Sequence, residues 1–177
     1  GVGTHNMLLG LGPDQYIEII APDPAQAPPA HPRPFDLDDA AVKLALEAEP
    51  HLIAYVAATP ALEAVVSRLG ASHAGEIRAM RRGDLAWRMA FPPQRQDMGN
   101  LIPPLIQWDG PKAASRIADS GWRLAGLEAE HPDMDALRTA LGARGLLDAI
   151  RLRQSPKARL VAQLRHQDGR EATLTSV

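Results

Sequence analysis

The sequence predicts a mixed α+β protein built from tandem β-α-β-β-β units. Three observations carry that prediction: an opening hairpin, a strand, helix and three strands in the middle, and a restart of that pattern at one constant spacing. In the restart Pro132 falls where Pro60 stands in the earlier copy, with Leu124 on Leu52, Ala136 on Ala64, Leu141 on Leu69 and Gly142 on Gly70, without a gap. An ungapped recurrence of strand, helix-start proline, helix and stopping glycine signals a duplicated unit of one topology. One unit has a sheet with an apolar face and a single helix, so a second sheet is expected to bury that face.

The elements follow in order. "GTHNMLLGLGPDQYIEIIAPD" reads as two strands around Gly12-Pro13-Asp14, a turn signal. The proline-crowded stretch over 21–36 is extended loop, because proline has no backbone donor for a helix or central strand. "DLDDAAVKLALEAEP" has an acidic start and a proline stop, which predicts a short helix. "HLIAYVAAT" reads as a buried strand, and "PALEAVVSRLGAS" as a helix that opens on Pro60 and ends at Gly70. "GEIRAMRR", "LAWRMAFP" and "NLIPPLIQW" are three strands, the last made irregular by Pro103-Pro104. The second copy places a helix over 132–142 and then strands in "DAIRLRQ", "ARLVAQLRHQDG" and "REATLTSV". The organisation is therefore 1–35, the hairpin of a truncated first unit plus its loop; 36–50, a connecting helix; 51–110, a second unit; and 121–177, a third. The first unit's sheet is expected to have an unpaired edge, filled by residues upstream of Gly1 or by a second chain in a homodimer.

Composition removes several functions. With 177 residues, 45% of them hydrophobic, the chain is long enough to bury a real core. A net charge of −2 and a basic spot no denser than Arg81-Arg82 give no electrostatic case for nucleic acid. There is no cysteine, hence no disulfide, thiolate nucleophile or Cys-type zinc site, and a reducing cytoplasm is the expected compartment. No apolar run approaches a membrane span. No Ser-His-Asp order, phosphate loop or His-x-x-x-His pair occurs.

The segments "GTHNMLLGLG…YIEIIAPD", "LAWRMAFP", "PPLIQWDG" and "GWRLAGLEAEHPD" resemble the glyoxalase-like members of the vicinal oxygen chelate superfamily. The resemblance implies curved sheets forming a cup with a small-molecule site inside. In that family's metal enzymes, His, Gln or Glu from the first and last strands of paired units hold one divalent ion. The last-strand ligand positions fall on Glu18 and Gln107, and the readable first-strand positions on Ala54 and Gly126, which have no donor side chain. Of the expected ligands only Glu18 is good and Gln107 weaker, so a complete metal site is not supported, and the cofactor is either none or a single divalent ion.

Glu18 is the residue that demands an explanation, because a charge inside Tyr16-Ile17-Glu18-Ile19-Ile20 is costly unless paired. It faces solvent, a metal, or a pocket in which it acts as hydrogen-bond acceptor or general base. With Pro13-Asp14 as the turn, Leu9 pairs with Glu18 and Met7 with Ile20, so alternation sets His5, Met7 and Leu9 on Glu18's face. His5 is then a second catalytic candidate. Trp87 shares a face with Leu85, Met89 and Phe91 and is core or cup wall, while Arg88 faces the other way and suits an anionic group. Trp108 abuts Gln107 on the opposite face as packing. The expected function is small-molecule binding by Met7, Leu9, Tyr16, Trp87, Arg88 and Gln107. The alternative is a glyoxalase-type lyase, isomerase or dioxygenase using Glu18 and Gln107 with a metal, and a plain scaffold is a third reading.

Overall fold

The computed structural model describes residues 3–27, 29–30, 32–92 and 98–176. It contains a two-stranded hairpin and two four-stranded mixed sheets. The hairpin pairs β1 (Thr4–Gly10) with β2 (Tyr16–Pro22). Helix α1 (Ala40–Ala48) follows the proline-rich loop, and the Asp39 carboxylate caps it by accepting from the Ala41 and Val42 amides at 2.9 and 3.1 Å.

The second sheet contains β3 (Ala57–Ala58), β4 (Ile77–Arg82), β5 (Leu85–Ala90) and β6 (Leu105–Trp108) in the order β3-β6-β5-β4, with β3 parallel to β6. Helices α2 (Leu62–Leu69) and α3 (Ala71–Ala74) join β3 to β4. Leu62 and Val65 of α2 pack on Ala57, Ala90 and Leu105, the apolar face of this sheet. The third sheet contains β7 (Trp122–His131), β8 (Arg151–Gln154), β9 (Arg159–His166) and β10 (Glu171–Thr175). Helix α4 (Met134–Gly142), capped by the Asp133 carboxylate on the Ala136 amide at 2.9 Å, sets Leu137 and Leu141 against Ala129 and Leu160. The helices thus form where the proline and glycine punctuation places them.

Four expectations need correction. The two units share element order but not topology: the third sheet runs β10-β9-β7-β8, with its first strand inside the sheet and not at the edge. The cause lies in the fate of residues 51–59, expected as one buried strand. Only Ala57–Ala58 pairs as a strand. The Leu52 amide instead donates to the Thr175 carbonyl of β10 at 2.9 Å, and the Tyr55 hydroxyl to the Leu101 carbonyl at 3.0 Å. The segment is drawn onto the third sheet, whereas the ten-residue, proline-free β7 pairs along both its edges. Nor does a second sheet bury the third sheet's apolar face. Its own α4 and the buried Leu101 and Ile102 do so.

The hairpin register is the other difference. Leu8 pairs with Glu18, Met7 with Ile19 and Gly10 with Tyr16. The tip is the three residues Gly12-Pro13-Asp14, closed by the Leu11 amide on the Gln15 carbonyl at 2.9 Å, with Gly12 at φ 110°. One extra tip residue reverses which side chains share a face. His5, Met7 and Leu9 therefore lie on the face away from Glu18. Met7 and Ile19 stand 73% and 61% exposed there, an apolar pair no described residue covers. No helix among the described residues is long and apolar enough to cross a membrane.

Candidate functional site

Cross-strand pairs share a face, so the registers sort the second sheet. Ala86, Arg88, Ala90, Leu105 and Gln107 lie on the α2 side. Arg78, Met80, Arg82, Leu85, Trp87, Met89, Ile106 and Trp108 lie on the side without a helix.

Gln107 is a structural acceptor. Helix α2 starts at Ala61 with no side-chain cap of its own, and the Gln107 Oε1 accepts from the Leu62 amide at 2.8 Å. Arg88 faces away from Trp87, as its alternation predicts. Its Nε donates to Asp109 at 3.0 Å, and its Nη1 pairs with Glu63 in the first turn of α2. These two side chains lock helix to sheet and do not join Glu18.

The helix-free face is where separate elements meet. The Trp87 and Trp108 rings lie 5.4 Å apart at a tilt of 45°, in the range of a favourable aromatic pair. Both rings are half-buried, and Trp108 lies on the face opposite Gln107, as alternation predicts. Arg82, at the end of β4 on this same face, reaches the hairpin. Its Nη1 donates to Asn6 Oδ1 at 2.7 Å, and Asn6 Nδ2 donates to Glu18 Oε1 at 2.6 Å. The guanidinium, which can only donate, fixes the orientation of the Asn6 amide and so aims the amide nitrogen at the carboxylate. Tyr16 stands on the Glu18 face of the hairpin. Burial first, and then the negative charge of Glu18, push its phenol above the usual value, while Arg82 pulls it down. Tyr16, Glu18, Asn6 and Arg82 are therefore one electrostatic neighbourhood beside the tryptophans.

Glu18 itself is exposed, not desolvated in a sheet interior, because the altered register turns it toward Arg82 at the rim. His5 is exposed on the other face, and Met7 and Leu9 go with it. Of the residues singled out in the sequence, the structure sets Glu18 and Tyr16 on one hairpin face, linked to Arg82, and places Trp87 on the sheet face that Arg82 shares. It adds Asn6, Arg82 and Trp108. The signal for Asn6 and Arg82 was parity: Asn6 faces with Glu18 once the tip has three residues, and Arg82 alternates with Met80.

A divalent ion of the kind the resemblance implies does not fit these side chains. Gln107 is spent on α2 from the far face, Ala54 and Gly126 have no donor, and the group tied into the Glu18 network is a guanidinium, which repels a cation. Among the described residues, no three His, Cys, Asp or Glu side chains are grouped to hold a metal. The arrangement suits a flat apolar body against the Trp pair, with an anionic group toward Arg82.

The family described as a glyoxalase-like domain matches residues 1–145, and the chain belongs to it. That match takes in the hairpin, α1, the second sheet, β7 and α4. No curated protein matches the chain.

Proposed function

We propose that this glyoxalase-like chain binds a small aromatic acid where the hairpin meets the helix-free face of the second sheet. The observation that carries this reading is the relay from Arg82 through Asn6 to Glu18, set beside the Trp87–Trp108 pair. Trp87 and Trp108 supply stacking area with few rotors to freeze. Arg82 spends one terminal nitrogen on Asn6 and keeps further N–H donors for a carboxylate. Glu18 holds the relay in place and repels a second anion, so a ligand with one acidic group is favoured over one with two. Tyr16, held protonated by its surroundings, adds a donor at the rim.

The test is a fluorescence titration in a Trp122→Phe background, so that only Trp87 and Trp108 report. Benzoate gives saturable quenching, and Arg82→Ala weakens it about tenfold, the loss of one charge-assisted hydrogen bond. Benzylamine, of similar size and opposite charge, gives none. Equal responses to both probes, or an Arg82→Ala variant that binds benzoate unchanged, overturns the assignment.

A further inference from the structure

The third sheet carries a second group of charges that the ligand site does not use. On the face away from α4, Glu130 of β7 pairs across the sheet with Arg153 of β8 on one side and Arg159 of β9 on the other. Glu130 is 1% exposed, and its Oε2 accepts from Arg159 Nε at 2.8 Å, while Oε1 contacts the Arg153 guanidinium. A carboxylate this deep is tolerated only because both cations are held on it. Arg153 is further tied to Glu128 at 2.9 Å. Arg159 has no second carboxylate among the described residues, and its side chain is 47% exposed.

Beside Arg159 lies an open-mouthed cavity of ≈ 240 Å³, lined by Ser155, Pro156, Lys157, Ala158, Arg159 and Ser176. The polar side chains of that lining are two serines, a lysine and an arginine, each able to donate. Lys157 has no acidic partner among the described residues. Ser176 Oγ accepts from the Leu160 amide at 3.0 Å and keeps its hydroxyl hydrogen to donate. Ser155 Oγ lies 3.5 Å from the Lys157 amide and likewise keeps a hydroxyl hydrogen to donate. Two cations and two hydroxyl groups line this cavity, and no carboxylate does.

We infer that this cavity binds a phosphoryl group, as inorganic phosphate or the phosphate of a small monoester. Lys157 supplies the uncompensated positive charge, Arg159 adds N–H donors from its outer guanidinium nitrogens, and the serine hydroxyls can donate to the remaining oxygens. Glu130 is a positioning residue: by fixing Nε of Arg159 it sets the direction of the outer guanidinium nitrogens before any anion arrives.

The experiment is an amide NMR titration of the whole chain with inorganic phosphate, at ionic strength held constant with chloride, and a parallel titration with acetate. Saturable shifts confined to Ser155, Lys157, Arg159 and Ser176, weakened about tenfold in Lys157→Ala and abolished in Lys157→Glu, support the site. Trp87→Ala leaves them unchanged, which separates this site from the one on the second sheet. Acetate binding as tightly as phosphate overturns the phosphoryl assignment. Shifts that never saturate, spread equally to Arg78 and Arg81, or survive Lys157→Glu overturn the site itself.

Discussion

The second and third sheets are built in the same order of strand, helix and three strands, and each is capped on its apolar face by its own helix. Away from the helices they differ in kind. The second sheet shows Trp87, Trp108, Met80 and Ile106 with arginines at the margin. The third shows Glu128, Glu130, Arg151, Arg153, Arg159 and Gln163, a ladder of charges stitched across three strands. One is an apolar wall in which Met89 and Ile106 are buried while Met80, Trp87 and Trp108 stay half-buried. The other satisfies itself with ion pairs, the half-exposed Arg153 and Arg159 covering the buried Glu130. The helix side of a sheet is dictated by core packing, so similar sequences serve both copies there. The opposite side is free to diverge, and there a duplicated pattern acquires two chemistries.

The largest expected effect tests whether the helix sides are equivalent. Leu62 of α2 and Leu137 of α4 are both 0% exposed. Leu62→Ala and Leu137→Ala should each cost about 3 kcal/mol in denaturant unfolding, from lost burial plus the cavity left behind. A difference between them of more than roughly 2 kcal/mol breaks the equivalence.

A smaller effect tests the hairpin, the element that touches both sides of the comparison. It meets the second sheet through Arg82, and it meets the approach to β7 through Gly10, whose carbonyl accepts from Ser120 Oγ at 2.5 Å. A Cβ at Gly10 would lie 2.5 Å from the Ala118 carbonyl oxygen. Gly10→Ala should cost roughly 1–3 kcal/mol as the backbones part. Hydrogen exchange over 4–22 should quicken while β7 and β9 keep their protection. Uniform loosening across the chain would show that the hairpin is an integral part of one cooperative core.

The smallest effect sharpens the electrostatics of the aromatic side. The Tyr16 phenol is raised above its ordinary 10.0. A group raised on folding contributes stability in full below its unfolded value and loses it as pH climbs through the folded one. Glu18→Gln should therefore lower the Tyr16 titration toward 10.0, and Arg82→Ala should lift it further. Ultraviolet titration in a Tyr55→Phe background reads this directly. Shifts of the opposite sign would mean that these charges do not flank the phenol.

The sequence made helix positions legible because proline, glycine and capping aspartates act locally: Pro60 and Gly70 bracket α2, and Asp133 starts α4. Strand order was not legible. Whether β3 or β7 sits at an edge depends on where Leu52 and Tyr55 find partners, and both find them across the molecule, on Thr175 and Leu101. The aromatic corner was half legible. Alternation placed Trp87 and Arg88 on opposite faces, but the same rule applied to Glu18 failed, because it inherits any error in the length of the turn. Asn6 and Arg82 are 76 residues apart in sequence, and no local pattern pairs them.

The three-residue tip of the hairpin makes β1 a kind of reading frame. Deleting or inserting a single residue within 11–15 changes no side chain in either strand, yet it swaps the partner of every residue in them. Such a change would carry Asn6 away from Arg82 and turn the exposed Met7–Ile19 pair apart, the equivalent of several substitutions at once. A two-residue change restores the parity and merely slides the strands. Length variation at this tip should therefore be tolerated in even steps and selected against in odd ones.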